Sequence, residues 1–108
     1  MIQFKIADES DTAVVAELLA NLFEEVGHTP GAEEIAAVFA DIDADDRHST
    51  LLALNEEGEV VGILTLVETL SLYAGGYIGV INELYVVPPY RSEGVGKMLL
   101  DEAKELAA

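Results

Sequence analysis

The chain predicts a single α/β domain in which helices flank a mixed central sheet. Three observations carry this reading. The apolar period switches along the chain between three-and-four spacing and strict alternation. The 51% hydrophobic content of 108 residues supplies one modest core and not two. No internal repeat, low-complexity tract or linker interrupts residues 1–108.

Ile2, Phe4 and Ile6 alternate with Gln3 and Lys5, the pattern of a half-buried strand. In the following ADESD, Asp8, Ser10 or Asp11 is suited to accept hydrogen bonds from the first free amides of a helix. Val14, Val15, Leu18, Leu19, Leu22, Phe23 and Val26 then give that helix one apolar face, and Gly27 offers a left-handed stop. After HTPG, a weaker stripe of Ile35, Val38, Phe39 and Ile42 marks a short second helix, which gives way to the acidic loop DADDRHS.

From Thr50 the period becomes that of strands. TLLAL and EVVGILTLVETL flank the turn residues NEEG and read as a β-hairpin, which YAGG closes. From Tyr77 onward, Ile78, Val80, Leu84 and Val86 fall on one face and Tyr77, Ile81, Glu83, Tyr85 and Val87 on the other. Both faces are largely apolar, which predicts a central strand covered above and below. Val95, Met98, Leu99, Ala103 and Leu106 line one side of a final helix.

The charge balance restricts the partners. Five Lys and Arg against 21 Asp and Glu give a formal charge of -16, which repels phosphate backbones and argues against nucleic acid while favouring a cationic partner. The same excess of acid serves equally as an adaptation for solubility or high salt. Without cysteine there is neither a disulfide framework nor a thiolate zinc site, and His28 and His48 are too few for a histidine-rich centre, so no metal is expected. MIQFKIADES lacks the basic start and apolar run of a secretory leader. VVGILTLV is far shorter than the ~20 residues that span a bilayer. A soluble, cytoplasmic protein with no membrane partner is the expectation.

The chemistry is concentrated after the last strand. Pro88 and Pro89 cannot donate to a ladder, so the strand stops by Val87 and the chain turns through Tyr90 and Arg91 to Gly94. Gly94 and Gly96 flank a helix start whose first amides have no partner within the helix, and without β-carbons the backbone can approach a ligand closely. Free N–H groups at the positive end of a helix suit a phosphate, and Arg91 and Lys97 place two of the five basic residues within seven positions. A Walker A loop is excluded, because Arg91 stands where its first glycine belongs and Met98 where its hydroxyl belongs. A dinucleotide fingerprint fails at Leu99 and at the acid that should follow about 20 residues later.

What remains is R-x-x-G-x-G, Arg91-Ser92-Glu93-Gly94-Val95-Gly96, preceded by ELYVVPPY. With these flanks the chain resembles the GNAT superfamily of acetyl-CoA-dependent N-acetyltransferases, and the order of its elements is similar to the first two thirds of that fold, truncated after the third helix. The resemblance implies that backbone amides from Arg91 through Ser92, Glu93, Gly94, Val95, Gly96 and Lys97 hold the CoA pyrophosphate. It also implies that the polar edges of Leu84, Tyr85 and Val86 pair with the pantetheine arm. A backbone amide near Val86 would polarise the thioester carbonyl.

Acetyl transfer requires a neutral amine, and a primary amine with a pKa of ~10.4 is almost fully protonated at neutral pH. Glu83 is the candidate proton acceptor, acting directly or through water, since GNAT enzymes often carry an acid at this point of the strand. Flanked on its face by Ile81 and Tyr85, the carboxylate is expected to be partly desolvated and a better acceptor for it. The other reading makes Glu83 a solvated sheet acid or a partner of Lys5.

Remaining motifs rank lower. Asp41, Asp43 and Asp45 imitate a calcium loop, but Asp46 replaces its glycine and Leu52 its closing glutamate. His28 and His48 read as isolated loop residues, and Tyr73, Tyr77 and Tyr90 as packing groups. The resemblance also implies a further strand, helix and strand pair that residues 1–108 do not contain, which leaves an open sheet edge and predicts a homodimer or higher homo-oligomer. Three functions follow: transfer of acetyl from acetyl-CoA to a small-molecule or protein amine, a non-catalytic CoA-binding module, or an oligomerisation domain. The acidic helices favour a polyamine, aminoglycoside or lysine-like acceptor.

Overall fold

The computed structural model describes residues 1–27 and 30–107, with Ala107 by its backbone alone; His28 lies outside the described residues. The elements follow the predicted order: β1 (Gln3–Ile6), α1 (Thr12–Glu25), α2 (Ala32–Asp43), β2 (His48–Leu54), β3 (Val60–Ser71), β4 (Gly76–Val86) and α3 (Val95–Ala107). Short 3₁₀ turns at Glu9–Asp11 and Pro88–Glu93 precede α1 and α3. No described helix is long and apolar enough to cross a membrane.

Asp8 and Asp11 form a reciprocal capping box ahead of α1: the Asp8 carboxylate accepts from Ser10 N–H at 2.9 Å, and Asp11 accepts from Asp8 N–H at 3.0 Å. Asp11 also takes up Lys5 at 3.0 Å, which removes the Lys5–Glu83 pair from consideration. Gly27, with φ 84, ends the helix in the left-handed region as its position predicts. The acidic loop is shorter than predicted. Asp41 and Asp43 are in α2, and His48 already belongs to β2, with its Nε2 3.9 Å from Asp45. Asp45 itself accepts from Arg47 N–H at 2.9 Å, so its carboxylate serves a local turn.

The strands form one sheet in the order β1-β2-β3-β4, and all three pairings are antiparallel. The α/β class therefore stands, while the parallel component of a mixed sheet is absent among the described strands. Helices α1 and α2 cover one face, where Val15, Leu19, Ile35, Phe39, Leu52 and Ile63 form a core. Helix α3 covers the other through Val95, Leu99 and Ala103 against Leu51, Val61 and Leu64. Two apolar layers on one sheet explain why the middle of β3 is buried on both sides.

β4 borders the open edge that was expected and departs from the expectation in two other respects. It is the edge strand among the described residues, paired with β3 and nothing else. Its outer half projects past the helices with the end of β3, leaving Leu70, Leu72, Tyr73, Tyr77 and Ile78 exposed, so Tyr73 and Tyr77 are not packing groups. Finally, Thr65 pairs with Glu83 but Leu66 with Ile81, so Asn82 is an extra residue. A one-residue slip exchanges the two faces, which sends Ile81 with Leu66 toward α3 and away from Glu83. The predicted flanking of Glu83 by Ile81 is thereby corrected; of the two predicted neighbours, Tyr85 alone shares its face.

Gly62 sets the distance between sheet and α3. A Cβ there would lie 3.0 Å from Leu99 Cδ1 and 3.2 Å from Val95 Cγ1, and these two side chains are 0% and 1% exposed, with no room to retreat. Gly62→Val is expected to destabilise the fold by about 1–3 kcal/mol. Urea unfolding of the two forms measures the difference, and an unchanged midpoint would show that α3 accommodates the extra carbons.

Candidate functional site

The strand-to-helix junction is built in three steps. Val87 closes the ladder by donating to Val61 C=O at 3.0 Å, and the two prolines then start a 3₁₀ turn whose Tyr90 N–H returns to Val87 C=O at 2.9 Å. Gly94 reverses the chain at φ 81. α3 begins at Val95, with its first intrahelical bond from Met98 N–H to Gly94 C=O at 3.0 Å. The segment predicted as one continuous loop of free amides is therefore divided. Arg91, Ser92 and Glu93 belong to the 3₁₀ turn, where amides fold back onto carbonyls. The N–H groups of Gly94, Val95, Gly96 and Lys97 donate to no protein acceptor among the described residues.

These four amides fit an anion, and the surroundings keep the approach open. A Cβ on Gly96 would meet only Val86 Cγ2, at 3.8 Å, and one on Gly94 would meet nothing within 4 Å. The side chain of Val95 is buried under the sheet, so only its backbone is available. Lys97 is exposed and pairs with Asp101 at 3.0 Å. Glu93 lines a cavity of about 400 Å³ together with Glu56 and Glu57. An anion bound here would rest on backbone N–H groups and the helix end rather than on a basic patch.

Arg91 has a different role from the one its position suggests. Its Nε donates to Val86 C=O at 2.8 Å and its guanidinium to Glu25 at 2.7 Å, with the charge 5.3 Å from the centre of the Tyr85 ring. The side chain ties the end of α1 to the end of β4. The Arg91 hydrogen bond holds the Glu25 carboxyl below the usual carboxylate range, while burial and then the Glu25 charge push the Tyr85 phenol up. Glu25 and Arg91 are 66 residues apart, and no sequence pattern announces their contact.

Beyond the end of β4, Val87 N–H donates to Val61 C=O, so by alternation Tyr85 turns its amide and carbonyl toward β3 while Leu84 and Val86 turn theirs to the open edge. Of the three residues predicted to meet a ligand through their backbone, Tyr85 is committed to the sheet. The Val86 carbonyl is taken by Arg91, which leaves the Leu84 groups and the Val86 N–H.

Glu83 stands on the opposite side of the edge strand from α3, half-buried. Its carboxylate accepts from the Thr65 hydroxyl, and its own N–H donates to the same oxygen at 3.0 Å. One carboxylate oxygen is thus fixed, while Oε2 has no protein donor among the described residues. Glu83 and Thr65 line a cavity of about 270 Å³ that opens beneath α1 and α2. Tyr90 is held by Asn55, whose amide donates to its hydroxyl at 3.1 Å, and so anchors the β2–β3 turn instead of facing this cavity. No group of three or more His, Cys, Asp or Glu among the described residues is arranged to hold a metal.

A carboxylate at the edge of a cavity, open strand groups and a free-amide helix end follow one another along β4 and the turn into α3. The family model described as the acetyltransferase (GNAT) family matches residues 12–108. The chain is 33% identical over 101 residues to the uncharacterized N-acetyltransferase YhfO of Bacillus subtilis (strain 168), covering 94% of this chain and 67% of the relative. It is 36% identical over 99 residues to the aminoalkylphosphonate N-acetyltransferase of Salmonella typhimurium (strain LT2), covering 92% of this chain and 59% of that one. The chain therefore spans roughly three fifths to two thirds of these curated relatives. Its fold is shared with a predicted acetyltransferase of Clostridium acetobutylicum solved with acetyl-CoA, at a TM-score of 0.79 and 22% identity over 97% of this chain and 75% of that one.

Proposed function

The chain belongs to the GNAT acetyltransferase family, and from this premise we propose that it moves the acetyl group of acetyl-CoA to a primary amine. The observation that carries the proposal is the set of four unpartnered amides at residues 94–97, on the same strand-to-helix path as a half-buried carboxylate. Acetyl-CoA supplies an acyl group activated as a thioester, so the reaction forms one N–C bond, breaks one C–S bond and releases one amine proton.

The chain's residues divide that work. The amides of Gly94, Val95, Gly96 and Lys97 bind the pyrophosphate, with Arg91, Ser92 and Glu93 shaping the approach. The open-edge groups of Leu84 and the Val86 N–H align the pantetheine arm and the thioester carbonyl, where an N–H donor stabilises developing negative charge. Glu83 accepts the amine proton, directly or through a water molecule, while Thr65 fixes the carboxylate's orientation. The resulting thiolate leaves and is protonated from solvent.

The acceptor is cationic before it reacts, in keeping with the formal charge of -16. The cytoplasm is the proposed setting, because acetyl-CoA is an intracellular metabolite. Association of copies through the exposed β3–β4 arm belongs to the same proposal and is supported by Leu70, Leu72 and Tyr77 in water. Calorimetry with acetyl-CoA, followed by thiol release over a panel of primary amines, tests the whole. Binding together with amine-dependent release is the expected result. Binding without release from any amine would instead make the chain a CoA-binding module.

A further inference from the structure

The cavity at Glu83 has a composition that selects among amines. Its walls are Leu19 and Phe23 from α1, Ile35, Val38, Phe39 and Ile42 from α2, and the sheet floor at Thr50 and Thr65. Among the described residues, both charged groups on it are carboxylates, Glu34 on α2 and Glu83 on β4. The Thr65 hydroxyl is already committed to Glu83. Val38, 56% exposed, adds an accessible apolar surface to the cavity lining that an apolar ligand could cover.

We infer that the acceptor is a primary amine on an apolar, aryl or alkyl body with no anionic group, and that Glu34 is a specificity-determining residue. The inference rests on the acetyl-transfer reading and names its substrate class. An ammonium entering toward Glu83 meets opposite charge, and its apolar body meets the α1–α2 wall, where burial is favourable in proportion to area. A polyamine has Glu34 alone among the described residues to pair a further ammonium, and a polyhydroxylated amine would bring hydroxyls against Phe23, Ile35 and Phe39, leaving them without partners. A phosphonate or carboxylate would meet two like charges. The lysine-like and polyamine acceptors suggested by overall charge are thus disfavoured by the cavity's own surface.

Three probes separate these classes: phenethylamine, spermidine and 2-aminoethylphosphonate, each assayed by thiol release with saturating acetyl-CoA and by calorimetry without it. The expected result is a kcat/KM for phenethylamine at least tenfold above the other two. Glu34→Lys should shift the ratio of phenethylamine to 2-aminoethylphosphonate by tenfold or more toward the anion, because it replaces a repelling charge with an attracting one. Val38→Glu, at an exposed position that leaves the core intact, should weaken phenethylamine binding tenfold. Equal or better use of spermidine or 2-aminoethylphosphonate by the unaltered protein would overturn the inference while leaving acetyl transfer standing. Phenethylamine binding that Val38→Glu abolishes, without turnover, would support the cavity assignment and overturn acetyl transfer instead. Absence of phenethylamine binding and turnover overturns the inference outright.

Discussion

Glu83→Gln is expected to lower kcat for acetyl transfer by about 10²–10⁴-fold, the usual worth of a positioned general base, with acetyl-CoA affinity unchanged. The substitution is close to isosteric, and the glutamine carbonyl still accepts from the Thr65 hydroxyl, so the local geometry of β3 and β4 is preserved. What disappears is the ability to take a proton. The pH profile separates this role from a structural one. An amine with a pKa of ~10.4 loses its proton to bulk water as the pH approaches that value, so the deficit of the variant should shrink steadily above neutrality. A deficit constant across pH, or an unchanged rate at pH 7, would remove Glu83 from proton transfer.

Glu83 was singled out by the family resemblance, and why some elements were legible in the sequence while its surroundings were not is physical. Periodicity is a local property, so Ile2 to Ile6, the α1 stripe and the hairpin around NEEG could be read directly, and φ at Gly27 follows from a stop that any helix needs. The glycine pair at 94 and 96 was legible for the same reason, being a short string whose chemistry lies in the backbone. Register is not local. The extra residue at Asn82 exists only as a mismatch between two strands, and alternation along β4 alone carries Ile81 to the wrong face.

Side chains reaching across the fold were equally hidden. Arg91 reads as a ligand-binding cation when only its seven-residue neighbourhood is considered, yet its guanidinium bonds a residue from α1 and a carbonyl of β4. The open edge beside β4 was expected from the family resemblance alone, because two apolar faces report the layers above and below a strand and say nothing about its lateral neighbours. Composition and the cavity surface point to different acceptors. A charge of -16 is a property of the whole surface, whereas the cavity beside Glu83 is mainly Leu, Ile, Val and Phe.

Gly96→Val should weaken acetyl-CoA binding by about tenfold to a hundredfold, the worth of one charge-assisted hydrogen bond of about 1.5–3 kcal/mol, while the fold remains intact. Glycine in a helix is about 1 kcal/mol less favourable than alanine, so its presence in the first turn of α3 calls for a reason. Packing within the chain does not provide one, since an added Cβ would meet only Val86 Cγ2 at an ordinary 3.8 Å. The backbone conformation does not provide one either, because Gly96 is absent from the positive-φ residues. Gly94 is the contrasting case: at φ 81 any side chain is strained, so Gly94→Ala should lower Tm whether or not a ligand binds there. The two substitutions, followed by calorimetry and thermal unfolding together, separate fold from site. Lost affinity at 96 with Tm retained assigns that glycine to the close approach of a ligand to free N–H groups, whereas undiminished affinity would mean that the anion is held elsewhere and would remove residues 94–97 from the cofactor site.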